Sequence, residues 1–211
     1  MGIDVVIGTS WSHRLARILV RPLVGSGVTP NHLTTLRLGT GLLACVALLP
    51  ADGASVWWGG GLWLVSALLD RADGELARIG GMSTPGGHRY DYLVDNVVNS
   101  GFFVALGLGL RDSALGGVAV ALGVCTGAAL YVCGYWSEVL ERLEGPGSKA
   151  YSGAFGFDPD DLLYLLAPII WLGWRTQLLV AACLGATFMM LLTGWRLRRL
   201  TSRRVDAGAA D

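Results

Sequence analysis

Several apolar stretches of this chain approach the roughly 20 residues that a helix needs to cross a bilayer. No other feature narrows the choice of fold so far. In hydrocarbon each backbone N–H and C=O must be satisfied within its own segment, so the expectation is an all-α integral membrane protein. Six such stretches can be drawn: 33–49, 56–78, 86–110, 114–136 (with helix continuing past Glu141), 158–174 and 176–195. Only Gly173-Trp174-Arg175 separates the last two, so that boundary is a hairpin or a kink. Charged residues make up 15% of the chain, against about 25% in soluble domains. The net charge is zero, which leaves no basic field to hold a nucleic acid.

Between the stretches the chain is punctuated. Residues 10–24 read as an amphipathic helix with Arg14, Arg17 and Arg21 on one face and Trp11, Leu15, Ile18 and Leu19 elsewhere. Such a helix lies on an anionic membrane surface or docks on the protein itself. Residues 25–31 form a break. Residues 144–158 form a polar, Gly-rich loop, and Asp158-Pro159-Asp160-Asp161 has the cap, proline and acids of a helix start. Trp57, Trp58, Trp136, Trp171, Trp174 and Trp195 sit near stretch ends, as in an interfacial belt or as ordinary packing. The four cysteines fall in apolar segments without a ligand pattern and read as small buried residues. No cleavable signal peptide is visible. The expected organisation is one membrane domain, 1–200, with its juxtamembrane helix at 10–24, and a disordered tail at 201–211. Six spans put both ends on one side. The outer loops hold only Arg111 and Arg175, so the positive-inside rule places both termini in the cytoplasm.

Four carboxylates interrupt this apolar pattern, in the spacing Asp70-x2-Asp73-Gly74-x2-Ala77-Arg78-x8-Gly87-x3-Asp91-x3-Asp95. Asp70 and Asp73 are i,i+3, and Asp91 and Asp95 are i,i+4, so each pair shares a helix face. Counting about 20 residues across from Ser55 puts all four near the cytoplasmic boundary. Carboxylates at that depth are costly and repel one another unless a cation joins them. An all-oxygen set suits Mg²⁺, Mn²⁺ or Ca²⁺. Gly74 and Ala77 keep the helix face beside the acids thin. Gly80-Gly81 and Gly86-Gly87 make the connection between the two helices flexible and open. Arg78 is a planar donor suited to phosphate. Together these features point to a phosphorylated, nucleotide-like substrate whose pyrophosphate two metals can clamp. The competing readings are a solvated acidic face, a cation channel or transporter, and a non-catalytic metal-binding membrane protein.

Every fixed position of the stretch from Asp70 to Asp95 resembles the signature of the CDP-alcohol phosphotransferase family. Thr29-Pro30-Asn31-His32-Leu33-Thr34, the six-span layout and the N-terminal amphipathic helix are also similar to that family. The resemblance implies a transfer of a substituted phosphate from a CDP-linked alcohol to a second alcohol, with release of CMP. It implies that Asp70, Asp73 and Asp91 hold two divalent cations, Mg²⁺ or Mn²⁺. Asp95 would complete that site and act as general base, with Asp91 beside it in the catalytic pair. Asp73, Gly74, Ala77, Arg78 and Gly87 would line the CDP pocket. The expected donor is CDP-diacylglycerol, and the expected acceptor a small polar alcohol such as inositol phosphate or glycerol phosphate. The protein would work in phospholipid biosynthesis at the cell inner membrane, among membrane lipids, as a homodimer with a cytoplasmic active site. Tyr90–Asn96 followed by Gly101-Phe102-Phe103 is similar to archaeal transferases that use a soluble donor, so CDP-inositol is the alternative. His88 and Arg89 contact an anionic acceptor or snorkel to the interface. Arg142 and Lys149 flank the 144–158 loop and are further candidates for an acceptor phosphate. Arg37, near the cytoplasmic end of the first span, touches a phosphate or snorkels.

Overall fold

The structure, a computed structural model, describes residues 10–50, 52–145 and 159–208, the side chains of 159, 160 and 203–208 excepted. Every regular element among them is helical: α1 (Trp11–Val20), α2 (Pro30–Leu48), α3 (Gly53–Ile79), α4 (Pro85–Gly109), α5 (Gly117–Glu144), α6 (Leu166–Trp171) and α7 (Arg175–Gly208), with 3₁₀ turns at Arg21–Leu23 and Pro159–Leu165. The ends of the helices follow their sequence. Thr29 precedes α2 and its N–H donates to His32 Nδ1 at 3.2 Å, with Pro30 at the first helical position. The Asp52 carboxylate accepts from the Ser55 N–H at 2.8 Å to open α3. Thr84 Oγ1 accepts from the Gly87 N–H at 3.0 Å to open α4. Each satisfies a donor that the first helical turn leaves unpaired.

The core lies where α2, α3, α4 and α6 meet, around Trp63, Phe102, Leu48, Leu106 and Ile170. The α2 crossing is tight at Gly41, where a Cβ would stand 2.5 Å from Val98 and 2.9 Å from Ser66. One turn earlier on the same face is Arg37, which this close approach brings to α3 and α4. A second tight crossing joins α4 and α5. A Cβ on Gly107 would stand 2.6 Å from the Ala119 carbonyl oxygen, and one on Gly123 2.6 Å from that of Phe103. Small residues that let two backbones touch are the common device for packing helices in lipid, where hydrophobicity does not drive helices together.

Among the described residues three helices are long and apolar enough to cross a membrane: Pro85–Gly109, Gly117–Glu144 and Arg175–Ser202. The stretches at α2 and α3 are long but carry polar cargo: Arg37 in α2, and Asp70, Arg71, Asp73, Glu75 and Arg78 in α3. The segment beginning at residue 158 departs most from expectation. Its described part opens as a 3₁₀ helix and becomes α-helical only over six residues, Leu166–Trp171. Pro168 is one reason, since its ring blocks the i→i−4 bond that an uninterrupted α-helix would need there. Side chains hold the irregular stretch instead. Trp63 Nε1 donates to the Leu163 carbonyl at 2.8 Å, and the Tyr164 hydroxyl donates to the Ala67 carbonyl at 3.0 Å.

Other expectations shift in detail. α5 does run past Glu141, to Glu144. The connection between α3 and α4 covers only residues 80–84, and Gly86 and Gly87 lie in the first turn of α4 rather than in an open linker. Gly81, at φ +63°, makes the turn. Cys45 is buried, but Cys125 is exposed on α5. α7 continues as helix to Gly208, beyond residue 201 where a tail was expected to begin. Of the polar loop expected at 144–158, Glu144 instead ends α5, and residues 146–158, with the cap at Asp158, lie outside the described residues, as do 209–211.

Candidate active site

The helical spacing of the aspartates does what it promised for three of them. Asp70 from α3 and Asp91 and Asp95 from α4 bring one carboxylate oxygen each to within 4.8 Å of one another. Asp73, one turn beyond Asp70, is not one of that close group. Its Oδ2 accepts a 2.7 Å hydrogen bond from the Thr34 hydroxyl of α2, and its side chain is buried. Three of the four carboxylates therefore form the close group, and Asp73 adjoins it from the cavity that it lines together with Asp91.

Arg37 is the member that spacing along α3 and α4 cannot reveal. It is 1% exposed, so it does not snorkel to the interface. Its Nη1 lies 2.7 Å from Asp70 and 3.4 Å from Asp91, and its Nη2 donates to Asp95 Oδ1. Three carboxylates converging at this depth demand positive charge, and the guanidinium supplies part of it. On Asp95 the hydrogen bond from Arg37 goes to Oδ1. An all-carboxylate donor set that already draws in a cation is chemically suited to a hard divalent ion such as Mg²⁺ or Mn²⁺.

Beside the triad is a cavity of about 400 Å³, within the range of small-molecule sites. From α3 it is lined by Asp73, Gly74, Ala77 and Arg78, and from α4 by Gly87, His88 and Asp91. Pro30, Asn31 and Thr34 of α2 form another wall, and Met82, Ser83 and Thr84 a third. Asp91 belongs to both triad and cavity, so the two are one site. Gly87 sits where any side chain would crowd its neighbours, since a Cβ there would stand 3.0 Å from Thr84 Oγ1 and 3.2 Å from Asn31 Oδ1. A Cβ on Gly74 would stand 3.4 Å from the Arg78 guanidinium.

The acceptor candidates divide. His88 lines the cavity, and its Nε2 lies 3.4 Å from Glu138 of α5. Arg142 donates to that same Glu138 through Nε at 3.0 Å and Nη2 at 2.8 Å. The two candidates thus meet through an acid that sequence spacing did not single out. Arg89 is exposed on the first turn of α4. Lys149 lies outside the described residues.

A further layer surrounds the site from α1. This helix turns its polar side inward, with Ser12, His13 and Ala16 buried against α3, and its apolar side outward, with Trp11, Leu15, Ile18 and Leu19 exposed. The Ser12 hydroxyl donates to Asp161, and Arg71 Nη2 lies 3.6 Å from the same carboxylate. His13 and Arg17 meet Glu75. The helix is thus docked on the protein through its charges while it presents its apolar face outward, which joins the two readings of residues 10–24. Arg17 belongs to the docked face; Arg14 and Arg21 remain exposed.

Residues 27–191 match the protein family described as CDP-alcohol phosphatidyltransferase. Over 160 residues the chain is 29% identical to the phosphatidylinositol phosphate synthase of Mycobacteroides abscessus, a match that covers 76% of this chain and 70% of that protein.

Proposed function

Because this chain belongs to the CDP-alcohol phosphatidyltransferase family, we propose that its donor is CDP-diacylglycerol and its acceptor a small phosphorylated polyol, inositol phosphate ahead of glycerol phosphate. The enzyme class is that of a CDP-alcohol phosphotransferase of phospholipid synthesis, embedded in the membrane. The observation that carries the reading is the sharing of Asp91 between the triad and the cavity. A cation-binding point and a space for a nucleotide-sized ligand are contiguous there. The preference for inositol phosphate is supported by the name of the 29% identical relative.

In this reading the acceptor hydroxyl attacks the donor phosphorus next to diacylglycerol, an O–P bond forms, and the bond to CMP breaks. Asp95 takes the hydroxyl proton on its carboxylate, which Arg37 holds through Oδ1. Asp70, Asp73, Asp91 and Asp95 are the residues that hold two Mg²⁺ or Mn²⁺ ions. When bound, such ions neutralise developing charge on the pyrophosphate. Arg78 donates to the donor's phosphates, and Gly74, Ala77 and Gly87 keep the cavity open for the cytidine part. His88, Arg89, Arg142 and Lys149 lie on the acceptor side. α2, α3 and the 159–171 segment complete a bundle of six spans, residues 1–200 forming one membrane domain. The active-site end of that bundle, with α1 and the end of α7, faces the cytoplasm at the inner membrane, and two chains associate as a homodimer.

The test is CMP release by purified protein in liposomes with Mg²⁺ or Mn²⁺, CDP-diacylglycerol and a panel of inositol phosphate, glycerol phosphate, inositol and serine. Release with inositol phosphate, abolished by EDTA, is the expected result. Release with CDP-inositol and none with CDP-diacylglycerol would replace the lipid donor with a soluble one.

A further inference from the structure

Glu75 occupies one of the unspecified positions of the aspartate motif, yet its side chain is 1% exposed. A carboxylate so deeply placed has to be paired, and the pairing here is specific. Oε1 accepts from Arg78 Nη2 at 2.7 Å and lies 3.0 Å from His13 Nδ1, while Oε2 accepts from Arg17 Nε at 2.9 Å. His13 Nδ1 is also 3.2 Å from Arg78 Nη2. Of these three partners Arg78 alone lines the cavity. Its Nε is buried and has no hydrogen-bond partner among the described residues. The guanidinium is thus held at one edge by Glu75 while another of its donors stays unsatisfied.

From this arrangement we infer that Glu75 is a positioning residue for the donor phosphate, fixing the Arg78 guanidinium. The surface helix α1, through His13 and Arg17, is then a working part of the donor site. The inference rests on the reading of Arg78 as a donor-binding residue. Its physical basis is preorganisation. An unrestrained arginine loses much side-chain freedom when it binds a ligand. One already fixed by a buried carboxylate has lost that freedom on folding, and its planar fork is aimed before the ligand arrives. Glu75 and Arg78 are i,i+3 on α3, so the helix itself sets their register. His13 and Arg17 are i,i+4 on α1 and approach the same carboxylate from the other side.

The experiment is a double-mutant cycle on full-length protein in detergent, read by calorimetric binding of CDP and by the two Michaelis constants. Glu75→Gln keeps the shape of the side chain and removes its charge. It should weaken CDP binding and raise the KM for CDP-diacylglycerol by about tenfold, the worth of one charge-assisted hydrogen bond, and leave the acceptor KM unchanged. In an Arg78→Ala background it should add nothing further. Glu75→Asp retains the charge at shorter reach and should fall between Gln and wild type. It carries the test should the Gln variant fail to stay monodisperse. Unchanged CDP binding in the Glu75 variants, or an equal loss with and without Arg78, overturns the positioning role and leaves Arg78 a donor residue. Unchanged CDP binding in Arg78→Ala overturns both.

Discussion

A guanidinium wedged among three carboxylates makes Arg37 the most consequential single residue that motif spacing does not reach. Its removal leaves Asp70, Asp91 and Asp95 facing one another without their protein counter-charge. Breaking a buried pair by deleting one partner costs about 3–5 kcal/mol. Arg37→Gln should therefore lower the melting temperature of EDTA-treated protein, and Mn²⁺ should restore more of the loss than it adds to wild type. Equal Mn²⁺-induced shifts in the two proteins would refute this. Asp95→Asn keeps the volume of the proposed base and removes its basicity. Turnover should fall by about 10²–10⁴-fold while calorimetric CDP binding persists. The aspartates were legible from sequence because helical spacing is a local property, and i,i+3 and i,i+4 pairs share a face in any helix. The meeting of Arg37 with Asp95 was not, because it depends on how closely α2 crosses α4. The pairing of Glu75 with His13, across 62 residues, was hidden for the same reason. So was the bond of Asp73 to Thr34, a residue already present in the Thr29–Thr34 segment but mute until α2 was laid against α3.

Among the elements, the α4–α5 crossing is the most sensitive to volume. Gly107 and Gly123 each admit the other helix's backbone where a Cβ would collide with a carbonyl oxygen at 2.6 Å. Neither helix can retreat from a rigid backbone contact as it could from a flexible side chain. Gly123→Leu should cost about 3 kcal/mol, seen as a lower temperature of aggregation in fluorescence-detected size exclusion. Gly61→Leu, where a Cβ would meet nothing within 4 Å, serves as the control and should be tolerated. Helix positions followed from apolar runs and from caps such as Thr29 and Thr84, which act within a turn. The 3₁₀ character of Pro159–Leu165 did not follow from sequence. It depends on hydrogen bonds with Trp63 and Ala67 of a helix nearly a hundred residues away. α1 misleads a reader in a different way: its arginines suggest a face turned to lipid headgroups, yet Arg17 is consumed by a buried acid.

At the scale of the whole molecule, the two ends of the bundle differ. The end with the triad, the cavity and α1 gathers the charges. The opposite end holds the Trp57–Trp171 ring stack, with centroids 4.8 Å apart, together with exposed Trp58 and Trp174. From Trp57 to Asp70 along α3 is about 20 Å of helix, so the site lies most of a hydrocarbon thickness away from this aromatic girdle. Cysteine labelling tests the proposed orientation. In a cysteine-free background, a membrane-impermeant maleimide applied to right-side-out vesicles should modify Asp112→Cys and spare Ser83→Cys; the reverse pattern would invert the molecule. The 3₁₀-to-α segment adds a consequence for the surrounding lipid. At about 2.0 Å per 3₁₀ residue and 1.5 Å per α residue, Pro159–Trp171 extends about 23 Å, some 7 Å less than a typical hydrocarbon layer of about 30 Å. Taken as the fifth span of the proposed bundle, the described stretch would draw the lipids on that flank inward, a deformation whose energy grows with acyl length. In the proposed six-span bundle the enzyme would then sit more easily in short-chain membranes than in long-chain ones, with any strain falling along that one side.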